Sequence, residues 1–305
     1  MSGEQLIFKS KVAGYKPERK FRGLFYILLF LFTAHCLLLT AAAQKIAFLI
    51  PDKSPDSQKT RENLEQILSN KFQILDDSMV ETVPLNAPDQ NFFNLSTEDA
   101  RNFGKAAGCN FFVLVKPETL RRADLSKQGF YIESYAVVYL VSSRTGRLNF
   151  WKLLSFQGNT AAEAETKLSA SLENLASEIS ANIKSADEHE YAEDRLSKLA
   201  EIPDENSDEA KNFRPPLPYR RIKPEYTALA NLYNIAATVD ALVDLDEKGI
   251  VKRIEIIRWA GYGLDESVAE TIRKMQWRAA EKDGKTLPVR VLLRYNFKKI
   301  EHDDE

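Results

Sequence analysis

The chain has 305 residues, of which 44% are hydrophobic, so it is long enough for two small cores. A formal net charge of −2 and a pI near 6.1 give no overall positive field, which excludes nucleic acid as an expected partner. The two cysteines, Cys36 and Cys109, lie 73 positions apart, which excludes a metal site of the CxxC type, and we expect no cofactor.

The N-terminus has the pattern of an export segment. Residues 1–23 form a basic segment, and residues 24–43 contain no Lys, Arg, Asp or Glu. Twenty residues at a helical rise of about 1.5 Å just cross a hydrocarbon core of about 30 Å, as a retained membrane anchor would. The small residues before Gln44 also fit cleavage of a signal peptide near Ala43. Both alternatives predict that the rest of the chain is exported.

Residues 44–185 are predicted to form one α/β domain, because apolar residues recur there at strand and helix spacing. The predicted strands are 46–50, 71–75, 111–115, 131–141 and 148–156. The predicted helices are 57–68, a helix that Ser96 caps and Gly108 ends, and 160–183. Asn94-Leu95-Ser96 fits the N-glycosylation pattern, and we interpret this match as accidental.

This order of elements, with residues 104–113 and the later Thr145-Gly146, resembles the N-terminal α/β domain of TolB and curli-secretion-type envelope proteins. The resemblance implies a scaffold and assigns no catalytic residue. The next segment, residues 186–213, is mostly acidic and polar with few large apolar side chains, so it is predicted to be a linker.

Residues 214–298 are predicted to form a small α+β domain, and residues 299–305 a charged tail. Strict alternation of apolar and polar residues predicts strands at 233–245 and 287–297. A turn at 246–249 leads into a second strand at 250–258, and a helix at 264–275 follows. The predicted order is therefore two antiparallel strands, a helix and a last strand.

Several short motifs of this domain occur in the order typical of one family. They are Lys223-Pro224-Glu225-Tyr226, Gly249-Ile250-Val251, Gly263-Leu264-Asp265, Trp277-Arg278-Ala279-Ala280 and residues 284–289. In this order they make the segment 214–298 similar to the C-terminal domain of TonB-type energy transducers. We expect Gly249 to supply a positive φ in a tight turn, Asp265 to cap the helix and Trp277 to anchor the helix to the last strand.

The chain departs from the family pattern at three places. The family usually has a proline where this chain has Thr227, and a Ser-Ser-Gly-like stretch where it has Trp259-Ala260-Gly261. The phenylalanine and the proline that follow the helix in the family are Trp277 and Ala279 here. Trp259 is interpreted either as a core residue or as an anchor for a partner, since tryptophan is enriched at binding hot spots. The fold expectation does not depend on these positions.

The resemblance implies a non-enzymatic periplasmic protein that binds a peptide of an outer-membrane receptor or another envelope protein by strand addition. We predict that the last strand is the pairing edge, with the side chains of Val289, Val291, Leu293, Tyr295 and Phe297. Coupling to inner-membrane motor proteins would also require that residues 24–43 are retained. The alternative is a structural periplasmic protein whose C-terminal module forms a homodimer or larger oligomer.

An enzyme is not expected, because the sequence has no phosphate-binding loop and no HExxH motif. Two of the three histidines lie outside the predicted folded domains: His189 is in the predicted linker and His302 is in the tail. No residue is therefore assigned a catalytic role.

Overall fold

A computed structural model of the chain describes residues 43–83, 91–124, 129–193, 199, 202–203 and 207–298. The predicted basic segment and all of the predicted export segment except Ala43 lie outside these residues, as do much of the linker and the charged tail. No helix within the described ranges is both long enough and apolar enough to cross a membrane. From Gln44 onwards the chain forms one compact unit.

A five-stranded sheet forms the centre of residues 44–185. Its strands are β1 (Lys45–Leu49), β2 (Gln73–Ile74), β3 (Phe111–Asp124), β4 (Gly129–Ser142) and β5 (Leu148–Gly158). The order is β2-β1-β3-β4-β5, with β1 parallel to β2 and β3, while β3, β4 and β5 are antiparallel.

Five α-helices accompany this sheet in the described part of this region. They are α1 (Pro55–Leu68), α2 (Asp77–Glu81), α3 (Thr97–Ala107), α4 (Ala161–Ala170) and α5 (Leu172–Glu193). The predicted capping of α3 is confirmed: the Ser96 hydroxyl accepts from the Asp99 N–H at 3.1 Å, and Gly108 ends the helix with a φ of 70°.

Residues 207–298 contain a second, three-stranded sheet and two helices. The elements are β6 (Phe213–Arg214), β7 (Leu217–Pro218), α6 (Ala228–Leu232), β8 (Ala237–Leu245), β9 (Val251–Arg258), α7 (Leu264–Lys274), β10 (Trp277–Arg278), β11 (Ala280–Lys282), β12 (Lys285–Leu287) and β13 (Val289–Phe297). The main sheet has the order β13-β8-β9 and is antiparallel, and β6, β7 and β10–β12 form small additional ladders. The predicted α+β fold is confirmed.

The five-stranded sheet is covered on both faces. On one face α1, α4 and α5 pack Leu64, Leu168 and Leu175 against strand residues such as Phe48 and Val113. The opposite face packs on α3 and on the second sheet, so Tyr139 of β4 belongs to one cluster with Val243 and Trp259. The proposed domain boundaries at 185 and 214 stay a prediction, because both parts share this cluster.

Several predicted elements have different bounds in the structure: the strand predicted at 233–245 begins at Ala237, and the one at 71–75 is only Gln73–Ile74. Two further differences have a physical cause. β3 continues past Val115 and through Pro117 to Asp124, because β1 pairs with it only as far as Leu114 and leaves that side open. The single helix predicted at 160–183 is two helices, α4 and α5, with a break at Ser171. The Ser171 hydroxyl donates to the Leu168 carbonyl at 2.6 Å at this break.

Candidate strand-addition site

β13 lies at one edge of the three-stranded sheet. All nine of its residues pair with β8, from Val289 opposite Leu245 to Phe297 opposite Ala237. Within the described part of the chain, β8 is the only strand that pairs with β13. The other side of β13 is therefore the side at which a further strand could be added.

The backbone of β8 shows which residues of β13 face that open side. The Asp246 N–H donates to the Ile250 carbonyl at 3.0 Å, and the Thr238 N–H donates to the side-chain oxygen of Asn94 at 2.9 Å. Both acceptors lie on the side of β9, away from β13. Backbone groups alternate along a strand, so the odd-numbered residues of β8 face β13. In this register the odd-numbered residues of β13 bond β8, and residues 290, 292, 294 and 296 turn their N–H and C=O groups outward.

The five side chains predicted for the pairing edge share the inner face of β13. Val289, Val291 and Phe297 are buried, while Leu293 and Tyr295 are half-buried against the shared cluster. These side chains therefore fasten β13 to the core. A partner strand would meet mainly the outward backbone groups of β13 and the side chains of its other face.

The outer face of β13 carries charged pairs with β8. Arg290 holds Asp244 through two hydrogen bonds, of 2.6 and 2.9 Å, and Arg294 holds Asp240 through bonds of 2.7 and 2.9 Å. Two-point contacts between a guanidinium and a carboxylate fix geometry as well as charge. Leu292, which is 53% exposed, lies between these pairs and interrupts them with an apolar side chain.

The opposite edge of the sheet, β9, is partly covered by residues 94–96. Ser96 forms a bridge with Arg258, and the Arg258 guanidinium donates to the Asn94 carbonyl at 2.9 Å. The Trp259 N–H then donates to the Leu95 carbonyl at 3.4 Å. The end of β9 is thereby closed to a partner strand.

The departure from the family pattern at Trp259-Ala260-Gly261 lies where the second sheet meets the first. Trp259 is 1% exposed, and its indole N–H donates to the Gly146 carbonyl at 3.1 Å. The Tyr139 hydroxyl donates to the Ala260 carbonyl, and a Cβ on Gly261 would lie 2.3 Å from that hydroxyl. The interpretation of Trp259 as a core residue is therefore confirmed, and its interpretation as an anchor for a partner is wrong.

Asn94 joins the same two parts of the chain, a role that the sequence pattern does not predict. Its side-chain amide donates to the carbonyls of Thr238 and Trp259, both at 2.7 Å, and its oxygen accepts from the Thr238 N–H. The side chain is buried, so it is occupied in packing and is not accessible as a glycosylation acceptor. Its position in an Asn-Leu-Ser triplet contained no signal of this role.

A second polar connection is centred on Glu133 of β4, which is 4% exposed. Its carboxylate accepts hydrogen bonds from Ser155 at 2.5 Å, from Tyr233 at 2.6 Å and from Arg122. Burial raises the pKa of this carboxyl, but the three hydrogen bonds outweigh burial, so the pKa of Glu133 lies below its usual value. Glu133 is therefore a buried anion that ties Tyr233 to the first sheet.

Asp265 does not cap the helix as predicted. The residue before α7 is Gly263, with a φ of 77° and no side-chain capping bond. The Asp265 carboxylate instead accepts from the N–H groups of Ala260 and Gly261, both at 2.9 Å, and so fixes the loop before the helix. Burial raises the pKa of Asp265 to about 7, against the lowering effect of these two N–H groups.

The expectation for Gly249 is confirmed. Its φ is 77°, and an added Cβ would lie 2.3 Å from the Trp277 carbonyl oxygen. Trp277 is 4% exposed in β10, which pairs with β7, and it belongs to the shared cluster with α7 residues such as Ile272. Both residues therefore serve the packing of the β8–β9 turn against the chain that follows α7.

No group of three or more His, Cys, Asp or Glu side chains that could hold a metal ion occurs among the residues for which the structure gives positions. The buried Cys109 thiol lies 3.2 Å from the Ser143 hydroxyl, and burial raises the pKa of this thiol. A raised pKa keeps the thiol protonated and unreactive. Cys109 is thus a packing residue.

Comparison with known proteins gives one sequence family. The family described as "Gram-negative bacterial TonB protein C-terminal" matches residues 222–298. No curated protein matches the chain. The family match covers α6 to β13, which are the elements that form the three-stranded sheet and its helices.

The solved structures to which the chain is similar have low sequence identity. The TonB C-terminal domain of Pseudomonas aeruginosa is 18% identical, with 35% of this chain and 99% of that chain covered and a TM-score of 0.27. Lipoprotein GNA1162 of Neisseria meningitidis is 12% identical, with 44% and 99% covered and a TM-score of 0.30. Hypothetical protein CT253 of Chlamydia trachomatis is 15% identical, with 47% and 96% covered and a TM-score of 0.29.

The sequence family thus agrees with the motifs between Lys223 and Val289 and with the order of strands and helix that follows Thr227. Residues 222–298 therefore belong to the TonB C-terminal family.

Proposed function

We propose that the chain is a non-enzymatic, TonB-like protein of the cell envelope that binds an extended peptide by strand addition to β13. The peptide would belong to an outer-membrane receptor or to another envelope protein. The observation that carries this proposal is the open side of β13, where four residues turn their backbone groups away from β8. The match of residues 222–298 to a TonB family supports the envelope location.

The energetics favour a partner that is itself extended. Each outward residue offers one N–H and one C=O, and each backbone hydrogen bond contributes roughly 0.5–1.5 kcal/mol. Several such bonds, with contacts to Leu292, are enough for weak and reversible binding. The charged pairs of Arg290 and Arg294 hold β13 on β8, so the strand is already in an extended, paired conformation before the partner arrives.

Replacement of Leu292 by proline tests the proposal. The Leu292 N–H faces the open side, so L292P removes one donor to the partner and leaves the bonds between β13 and β8 in place. The matched control is L292V, which keeps the N–H. Binding of labelled peptides from the plug segments of outer-membrane receptors would be measured by fluorescence anisotropy. We expect binding to weaken roughly tenfold in L292P relative to L292V.

Proline at Val291 or Leu293 would not make this test, because their N–H groups bond β8. A folded L292P variant that binds the peptides as tightly as L292V does would contradict strand addition at β13. The alternative function is that of a structural periplasmic protein, in which the same edge of β13 forms a homodimer. Sedimentation of the full chain would then show a dimer that L292P dissociates, with no affinity for receptor peptides.

Energy coupling to inner-membrane motor proteins is part of the proposal only if residues 24–43 stay attached. N-terminal sequencing of the mature protein from envelope fractions decides this point. A mature chain that begins at Gln44 would have no anchor in these residues, and the protein would then be a periplasmic adaptor.

A further inference from the structure

A cleft of about 450 Å³ lies at the end of the three-stranded sheet where the β8–β9 turn meets the end of α7. Its lining includes Gly249 and Trp277, and the turn approaches the Trp277 carbonyl too closely for any side chain at position 249. Tyr219 and Ile250 also line it and are 73% and 52% exposed. The volume is within the range of about 300–1,000 Å³ that is typical of ligand sites.

The charged side chains that line this cleft are all positive. Its lining contains Lys248 and Arg273 and no acidic residue. In the part of the chain that the structure describes, neither of these side chains has a carboxylate partner, although most other arginines near the second sheet do. Two exposed cations beside exposed apolar side chains favour a ligand that is both anionic and partly apolar.

The buried indole of Trp277 is a second, independent observation. Trp277 lines the cleft and is 4% exposed, yet its N–H has no hydrogen-bond partner in the described structure. Buried donors in proteins are nearly always paired. The Trp277 N–H is thus an unpaired buried donor in a residue that lines the cleft.

We propose that this cleft binds an acidic stretch of an extended peptide from a partner protein, with carboxylates at Lys248 and Arg273 and an apolar side chain against Tyr219 and Ile250. β9 is two strand spacings, about 10 Å, from β13, so this site is separate from the β13 edge. A membrane surface fits less well, because anionic lipids are typically recognised by clusters of four to eight cations. The concave shape of the cleft also fits a peptide better than it fits a flat membrane surface.

A charge-reversal experiment on the full chain tests this site. The variant is K248E/R273E, and the matched control is K282E/K285E, which changes the same number of exposed lysine or arginine charges on the β11–β12 hairpin of the same domain. The probe is a fluorescein-labelled hexapeptide of alternating Asp and Leu, and its counterpart with Asn in place of Asp measures the role of charge. Fluorescence anisotropy at low and high salt gives the dissociation constants.

We expect the acidic probe to bind the wild type and K282E/K285E alike, and K248E/R273E at least tenfold more weakly. The Asn counterpart should bind the wild type about as weakly, and L292P should bind the acidic probe like the wild type. Equal binding by the two double variants, or equal binding of the Asp and Asn peptides, would overturn the proposal. Vesicles of phosphatidylserine and phosphatidylcholine that bind only the wild type, without binding of the probe, would overturn it in favour of a lipid surface.

Discussion

Asn94 is the residue whose role depends most on its surroundings. Its side chain satisfies three backbone groups of the second sheet and its flanking loop, namely the N–H and carbonyl of Thr238 and the carbonyl of Trp259. A polar side chain in such a place is stabilising only when its donors and its acceptor are hydrogen-bonded. In Asn94 the amide N–H groups make two bonds and the side-chain oxygen accepts one.

Replacement of Asn94 by alanine should lower the free energy of unfolding by roughly 2–4 kcal/mol, because it leaves three backbone groups without their partner. Urea unfolding followed by circular dichroism measures this change. The control is N70A, since Asn70 is exposed and makes a single bond of 3.3 Å to the Ile67 carbonyl. A loss in N94A no larger than that in N70A would show that these buried bonds are replaced by water.

Asp265 should make the stability depend on pH. The pKa of Asp265, about 7, lies above its usual value of 3.8, so the folded state holds the proton more tightly than the unfolded state does. The contribution of this group is therefore complete below about pH 4 and is lost as the pH rises through about 7. The stability of the wild type relative to D265N should fall over this interval.

The measurement is the free energy of unfolding of the wild type and D265N in urea at several pH values between about 4 and 8. Asparagine does not titrate, so the difference between the two proteins isolates the carboxyl. A difference that is constant, or that grows with pH, would show that the pKa of Asp265 is not raised in the folded state.

At the scale of elements, β13 illustrates what an alternating pattern can and cannot predict. The alternation of apolar residues correctly predicts a strand whose inner face carries Val289, Val291 and Phe297. It does not reveal which backbone groups bond β8, because that depends on the register and on the turn at Asp246. The break at Ser171 and the passage of β3 through Pro117 were missed for a similar reason, since each depends on neighbouring elements.

Proline substitutions in β13 should separate its two sets of backbone groups by their effect on stability. V291P removes a bond to β8 and a buried side chain, so it should cost about 3 kcal/mol or more. L292P removes an N–H that faces the open side, so it should cost about 1 kcal/mol or less. Thermal unfolding of both variants measures this contrast, and equal losses would mean that the inferred direction of the backbone groups is wrong.

At the scale of the whole molecule, the two sheets are held together by one cluster and by polar bonds across it. Trp259 and Tyr139 contact each other edge-on, with ring centroids 5.6 Å apart, and Glu133 accepts a bond from Tyr233. A TonB-type domain on its own would expose these groups. We therefore expect residues 44–185 and 214–298 to unfold together.

Replacement of Trp259 by alanine tests this expectation. The variant loses a large buried side chain and leaves the Gly146 carbonyl without its donor, so stability should fall by roughly 3–5 kcal/mol. Hydrogen exchange followed by mass spectrometry should show protection lost to the same extent in β4 and β8. Loss confined to β8 and β9 would mean that the two parts unfold independently.

The sequence by itself was sufficient for the α+β class, most strands and helices, the TonB-type domain and its turn at Gly249, because these follow from local alternation, from glycine conformations and from ordered motifs. Tertiary structure alone determined the roles of Asn94, Glu133, Trp259 and Asp265. Each of these side chains is bonded or packed across long stretches of chain or against a loop whose path the sequence does not specify. The same holds for β13: the pattern identifies a strand, but only its register with β8 shows which of its backbone groups face the open side.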